Sequence, residues 1–371
     1  MAKYFLISGE ASGDMHAADL MAQIRLRDTH AHYTGLGGDR MAAAGCHLHQ
    51  HIRHMAFMGF AAVLANMNQV RRNFRIAKQA LLTDRPDVLI LVDYPSFNLR
   101  MAAFCRRYLP QTKIYYYIPP KVWAWKKRRI HRIARLCDEV FGIFPFEPAF
   151  YAQYGYSCTY VGHPTVEGID RFAQSQKTAP LKDKGQKMIA VLPGSRPSEI
   201  RHCLPRMLEA AHRMANCTVT VCAAPGIDDA FYTPYLSARD TLTRATYETL
   251  QLASAAVVNS GTATLEAALI GCPQVAVYHL ACSRGIGLIR RTMQPLLFSI
   301  PYFTPVNIIA GEQIIRECIA DAFTVENVTD ELQRILYDAA YQKKMLAAYE
   351  HLSSLLGSQS AAATAAARIT S

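Results

Sequence analysis

Tyr4-Phe5-Leu6-Ile7-Ser8-Gly9-Glu10-Ala11-Ser12-Gly13-Asp14 opens the chain with a short apolar run and a glycine-bearing turn, followed by a helical pattern over residues 15–27. A buried strand that feeds a Gly-rich turn and then a helix is the first unit of a doubly wound α/β domain. Residues 86–93, 113–118 and 139–144 read as further strands, with a helical pattern over 69–82 ahead of them. These runs are apolar throughout rather than alternating, which predicts parallel strands covered on both faces.

From 168 to 187 the composition turns polar, and a second α/β series follows. Residues 188–192 lead into Pro193-Gly194-Ser195-Arg196 and a helix running through Met214. Strands are predicted at 218–222, 255–259 and 274–278, and the Ala-rich tail from Asp330 is helical. The expected fold class is α/β, with two doubly wound Rossmann-like domains facing a cleft. The first spans 1–167 and the second 168–340. A helical segment, 341–371, returns to the first domain or docks on a partner, which leaves a homodimer open.

The 371 residues carry 40 Lys+Arg against 29 Asp+Glu, a formal charge of +11, and 51% are hydrophobic. That apolar fraction excludes a disordered chain, and the lack of a Gly or Pro excess excludes fibrous classes. No run reaches the roughly 18–20 apolar residues of a membrane span. The opening run is too short for a secretory signal, so a soluble cytosolic protein is expected. The basic excess calls for an anionic partner: nucleic acid, a phosphorylated metabolite or a membrane surface. The ten cysteines include no Cys-x-x-Cys pair, against a zinc ribbon or a redox pair. His47, His49, His51 and His54 alternate as ligands on one strand face would, but no Cys or carboxylate accompanies them closely. The plainer reading is a polar strand edge, and no metal is expected.

Four regions carry candidate chemistry. Ser195-Arg196 lies between a strand and a helix, where backbone N–H groups and a guanidinium suit phosphate; an ordinary solvent-facing loop is the alternative. Ser260-Gly261-Thr262-Ala263-Thr264-Leu265-Glu266 opens another helix with small residues, and Glu266 is placed either for ribose hydroxyls or for a capping box. Glu10 and Asp14 in the first turn, and Asp93 in Asp93-Tyr94-Pro95-Ser96-Phe97-Asn98, lie at strand ends, where open α/β sheets bind ligands. Each suits a general base, and each equally suits a cap or turn. The basic, aromatic stretch Lys121-Val122-Trp123-Ala124-Trp125-Lys126-Lys127-Arg128-Arg129, extended by His131, Arg132 and Arg135, fits stacked bases, a sugar phosphate or a membrane interface; a solvated helix face is the structural alternative. Residues 55–64 with Arg71, Arg72, Arg75 and Lys78 mix apolar and cationic character, as do Arg284, Arg290 and Arg291 with Ile286, Leu288, Ile289 and Phe298. That mixture favours lipid over nucleic acid.

Together these runs resemble the lipid-A-disaccharide synthases, glycosyltransferases of the GT-B fold. The resemblance rests on Ser8 to Asp14, Asp93 to Asn98, Val122-Trp123-Ala124-Trp125, Phe144-Pro145-Phe146-Glu147 and Val161-Gly162-His163-Pro164. Leu192 to Arg196, Ser260 to Glu266 and Asn307-Ile308-Ile309-Ala310-Gly311 complete it, in family order over nearly the whole chain. Lys121, Glu167 and Val306 depart from the usual family residues. The resemblance implies that UDP-2,3-diacylglucosamine donates its sugar to 2,3-diacylglucosamine 1-phosphate (lipid X), with inversion, at an anionic inner-membrane surface. Asp93 is then the first choice for the base and Glu10 the second. Arg196, Ser260, Gly261, Thr262, Glu266 and Asn307 would hold the UDP-sugar. Lys126, Lys127, Arg128 and Arg129, with Trp123 and Trp125, would meet the acceptor phosphate or the membrane. No Asp-x-Asp occurs, and the resemblance implies no cofactor. Two other classes are kept in view: a UDP-sugar 2-epimerase, which needs no acceptor, and a nucleic-acid module, which charge alone supports.

Overall fold

The computed structural model describes residues 2–55, 67–124, 127–175, 186–279 and 301–371. The chain forms two compact units, residues 1–164 with 358–371, and residues 165–357.

The first unit is built on a seven-stranded sheet: β1 (Lys3–Ile7), β2 (His32–Gly37), β3 (His47–His51), β4 (Val88–Val92), β5 (Lys113–Tyr117), β6 (Glu139–Gly142) and β7 (Thr159–Tyr160). Its order is β3-β2-β1-β4-β5-β6-β7 and all its pairings are parallel. The period-2 alternation of a strand sends successive side chains to opposite faces, and both faces here are covered. Phe5, Ile7, Leu89, Leu91, Ile114 and Tyr116 enter one core. Tyr4, Leu6, Val88, Ile90, Val92, Tyr115 and Tyr117 enter the other. Leu89, Ile90 and Leu91 are wholly buried, each contributing about 2 kcal/mol of hydrophobic stabilisation. The terminal helix Ala361–Ile369 packs on the helix Ala11–Arg25, its buried face made of Ala361, Ala365, Ala366 and Ile369.

The second unit holds β8 (Lys187–Leu192), β9 (Cys217–Cys222), β10 (Asp240–Thr243), β11 (Ala255–Asn259), β12 (Gln274–Tyr278) and β13 (Glu317–Ile319). The order is β10-β9-β8-β11-β12-β13, again parallel throughout. Both sheets are thus doubly wound. Their strand order reverses at β1/β4 and at β8/β11, and ligands of such sheets bind beyond the carboxyl ends of the strands at that reversal. Among the described residues no helix is long and apolar enough to cross a membrane.

Candidate active site

Glu10 and Asp93 occupy the reversal point of the first sheet, one residue group after β1 and one directly after β4. Asp93 and Tyr94 both have φ of 45°, a left-handed conformation that L-residues with side chains avoid. Two such residues in succession cost on the order of 1–2 kcal/mol each and persist only where the surroundings over-determine them. Those surroundings are visible. The Asn98 side-chain Nδ2 donates to the carbonyls of Asp93 at 2.7 Å and Val92 at 3.1 Å, and reaches that of Ile7 at 3.4 Å. The Tyr116 hydroxyl donates to the same Asp93 carbonyl at 2.7 Å. The Tyr94 ring lies flat on Gly9, where a Cβ would stand 2.2 Å from its Cγ, and its hydroxyl donates to the Met55 carbonyl. Burial pushes the Asp93 carboxyl up from its ordinary value, while the Lys121 cation and the Tyr94 N–H pull it back. Burial and the Glu10 charge raise the Tyr94 phenol, so Glu10 lies within electrostatic reach of the same loop.

Asp14 has a different job. It is 3% exposed, and its carboxylate accepts the N–H groups of Gly38, Arg40 and Met41 at 2.6, 2.9 and 3.1 Å. It ties the start of the helix Asp39–Ala43 to the helix Ala11–Arg25. Asp14→Ala is expected to cost about 2–3 kcal/mol in urea unfolding by stranding those amides, with kcat per folded molecule unchanged. A large fall in kcat at unchanged stability would return Asp14 to the chemistry.

The exposed Lys121 acts electrostatically on Asp93 and on two buried ionisable groups, Glu147 and His163. Glu147 is 1% exposed and accepts from the Trp123 indole at 3.0 Å and from the backbone N–H of Ile143 and Phe144 at 2.8 and 3.0 Å. Burial pushes its carboxyl up to about 7, against the pull of those three donors and of Lys121. His163 contacts Phe144 edge-on, and burial, aided by His16 and Lys121, lowers it to about 3. The Lys121 ammonium stands 5.5 Å from the Phe144 ring centre. The Trp123, Phe144–Glu147 and Gly162-His163 runs therefore converge on one another. Glu147 and His163 are ionisable groups of this region that sequence reasoning assigned no role, and Lys121, read there only as part of the basic stretch, acts on Asp93 and Glu147.

Trp123 requires correction. Its ring is 4% exposed and packed edge-on against Phe144 and Phe146, so it is a core residue rather than an interfacial anchor. Trp125 and Lys126 lie outside the described residues, as do 56–64 and Arg284, Arg290 and Arg291. Lys127 and Arg128 are exposed. Arg129 reaches Ser96 at 3.5 Å, which brings the basic stretch to the Asp93–Asn98 run.

In the second unit the loops after β8 and β11 supply the candidates. Arg196 caps the helix Pro197–His212, and its Nη1 pairs with Glu199 at 3.1 Å. The Ser195 N–H donates to the same Glu199, at 3.1 Å. Gly261 caps the helix Thr262–Ile270 without a side-chain hydrogen bond, and a Cβ there would meet nothing within 4 Å. The space beside Gly261 at that helix start is open, and a helix N-terminus with free amides is an arrangement that can receive an anion. Glu266 forms no capping box. It accepts from the Tyr247 hydroxyl at 3.2 Å, and burial raises its carboxyl.

Asn307 also requires correction. It is fully buried; Nδ2 donates to the Ile315 carbonyl and to Glu317, and Oδ1 accepts the N–H of Ile314 and Ile315, all at 2.9–3.0 Å. That amide braces the helix Pro305–Ala310 against β13 and has no hydrogen-bonding capacity left for a nucleotide.

His47, His49 and His51 do lie on a strand, β3, as its polar edge. His49 bonds Asp84 at 2.7 Å and His51 bonds Asp39 at 3.2 Å, two separate carboxylates on separate helices. Among the described residues no group of three or more His, Cys, Asp or Glu is placed to hold a metal ion.

The fold has close counterparts among solved structures. A UDP-GlcNAc 2-epimerase from Neisseria meningitidis, bound to UDP-GlcNAc, superposes with a TM-score of 0.64 at 10% identity, covering 99% of each chain. The calicheamicin glycosyltransferase CalG4 gives 0.61 at 14% identity, over 100% of this chain and 97% of that one. Two doubly wound parallel-sheet domains with these neighbours make this an α/β protein of the GT-B class. The family model described as lipid-A-disaccharide synthetase matches residues 4–369, and the chain belongs to that family. Lipid-A-disaccharide synthase of Trichlorobacter lovleyi is 34% identical over 365 residues, 96% of this chain and 93% of that one. The Myxococcus xanthus synthase is 34% identical over 375 residues, 98% and 96%. The protein is accordingly a hexosyltransferase of lipid A biosynthesis.

Proposed function

We propose that the enzyme transfers a 2,3-diacylglucosamine residue from UDP to the 6-hydroxyl of 2,3-diacylglucosamine 1-phosphate, forming the β-1,6 disaccharide 1-phosphate and UDP. The observation that carries this reading is Asp93: a carboxylate in a left-handed backbone pair at a sheet reversal point, with its pKa raised toward that of a useful base. In the proposed step Asp93 takes the proton of the acceptor hydroxyl as its oxygen bonds to the anomeric carbon. The bond from that carbon to the diphosphate breaks, and UDP leaves with the electron pair. One displacement inverts an α-linked donor to a β product. Glu10 is the second candidate for the base.

In this reading residues 1–167 take the acceptor and 168–340 take the UDP-sugar, while of the 341–371 segment only 358–371 joins the first unit. The open helix start at Gly261 and Thr262, with Ser260 and the Arg196 guanidinium, offsets charge on the departing diphosphate, and Glu266 meets the ribose. Lys127, Arg128 and Arg129 receive the acceptor's phosphate, at an anionic membrane surface.

The direct test supplies both acylated substrates and follows UDP release together with the stereochemistry of the product. Disaccharide formation with a β linkage is expected, and UDP release requires the acceptor. Turnover of the UDP-sugar alone would move the protein to the epimerase class.

A further inference from the structure

Two helices on the outside of the first sheet carry the same unusual pattern. On Met67–Asp84, Arg71, Phe74, Arg75 and Lys78 follow i, i+3, i+4, i+7 spacing, and so share one face. On Pro95–Tyr108, Arg100, Ala103, Phe104 and Arg107 do the same. The two faces line one groove of about 680 Å³, whose cations are Arg71, Arg75, Lys78, Arg100, Arg107 and Arg132. Among the described residues no carboxylate lines it. Among the described residues none of the six forms an ion pair, whereas the neighbouring Arg106, pointing elsewhere, pairs with Asp138.

Like charges at i, i+4 destabilise a helix, and six uncompensated cations around one groove repel one another. Four of them are nonetheless held in place, Arg132 by donating to the Leu99 carbonyl at 3.2 Å and three by aromatic rings. Arg100 stacks on Phe74 and Lys78 on Phe104, each cation of one helix lying over a ring of the other, at 5.2 and 5.3 Å. Arg107 lies over its neighbour Tyr108 at 5.4 Å. Stacking orients a guanidinium and leaves its N–H edge outward, ready for a planar or tetrahedral oxyanion. From i to i+7 a helix rises about 10 Å, longer than a single phosphate needs. Met67, Leu82 and Tyr108, large apolar residues of the same two helices, are exposed.

We propose that this groove is a second anion site, built for phosphoryl groups presented more than one at a time. Its lining includes neither Glu10 nor Asp93, and it stands without the transferase reading. A diphosphate or an array of lipid headgroups supplies the same chemistry, and the experiment separates the two sources.

The full-length protein is saturated with UDP to fill any nucleotide site. It is then titrated with inorganic pyrophosphate and sedimented with vesicles of phosphatidylglycerol and phosphatidylcholine. The groove variant combines Arg71→Gln, Arg75→Gln, Lys78→Gln and Arg107→Gln. A control with the same change in net charge combines Arg27→Gln, Arg239→Gln, Lys343→Gln and Lys344→Gln. The groove variant is expected to lose at least about tenfold in binding, since each cation near an anionic surface contributes a several-fold factor, while the control stays within about twofold. Loss with both probes identifies free phosphoryl groups as sufficient; loss with vesicles alone identifies the headgroup array. Equal weakening of variant and control, or no weakening of either, overturns the proposal. Should the fourfold variant melt early, the pair Arg71→Gln/Arg107→Gln carries the same comparison. UDP release with detergent-dispersed substrates is expected to be unchanged in the groove variant, so failure of the catalytic reading shows separately.

Discussion

Asp93→Asn is expected to lower kcat by about 10³-fold or more while UDP binds within about twofold of the parent. The amide keeps the size and shape of the carboxyl but cannot take a proton, and general-base catalysis contributes roughly 10²–10⁴. In the proposed reading UDP is held by the second unit's loops, which the substitution does not touch. The same variant should be no less stable than the parent at neutral pH. Burial raises the Asp93 carboxyl, so in the window between the ordinary aspartate range and the folded value the folded state keeps a proton that the unfolded chain releases. Stability from that group is complete below the ordinary aspartate range and is lost as pH rises through the folded value. A neutral amide removes that penalty. An Asp93→Asn enzyme that turns over normally would shift the base role to Glu10.

The pH profile supplies a second arm. The base must be ionised, so kcat/KM rises with pH through the Asp93 pKa, on an acid limb lying above the ordinary aspartate range. Lys121 holds that carboxyl down. Lys121→Met is therefore expected to move the acid limb to higher pH, and a limb moving lower would show that Lys121 acts on another group.

The strands that decide the fold were readable because burial on both faces writes itself locally. Val88-Leu89-Ile90-Leu91-Val92 admits no polar interruption, and neither does Ala255-Ala256-Val257-Val258. β2 was not readable, since His32-Tyr33-Thr34-Gly35-Leu36-Gly37 carries two glycines of the kind that strands avoid. Gly35 is there because a Cβ would stand 2.1 Å from the Leu6 carbonyl oxygen of the neighbouring strand, a contact between residues 29 positions apart. The helix Ala11–Arg25 begins four residues earlier than its apolar pattern suggests, since Gly13 and Asp14 face inward for packing and bracing. The site shows the same division. Strand-end carboxylates and small-residue turns make Glu10, Asp93 and the Ser260–Glu266 loop candidates, because both devices are local. What Asn307, Trp123 and Asp14 do is decided by partners far away in sequence, Glu317, Glu147 and Gly38. The displaced pKa values of Glu147 and His163 likewise come from burial, which no single run of residues records.

Asn98→Ala is expected to lower kcat by about 10²-fold and stability by about 2–4 kcal/mol, the second largest effect after Asp93 itself. Its Nδ2 group is the donor that closes the carbonyls of Val92 and Asp93 and approaches that of Ile7, at the ends of two adjacent strands. Removing it leaves buried acceptors unsatisfied at about 1–3 kcal/mol for the group and lets the left-handed pair at Asp93 and Tyr94 relax. Relaxation moves the carboxyl, and a misplacement near 1 Å costs about 10²-fold in rate. Tyr116→Phe deletes only one of the donors to the Asp93 carbonyl, so its loss should be smaller in both measures. The pH profile separates positioning from mere structural support. A displaced base in altered surroundings titrates at a shifted pH, whereas a protein that is only less stable keeps its acid limb while losing active molecules. If Asn98→Ala retains full kcat and an unmoved limb at a temperature where it is folded, the left-handed pair is held by other contacts, and Asn98 serves the packing of the strand ends alone.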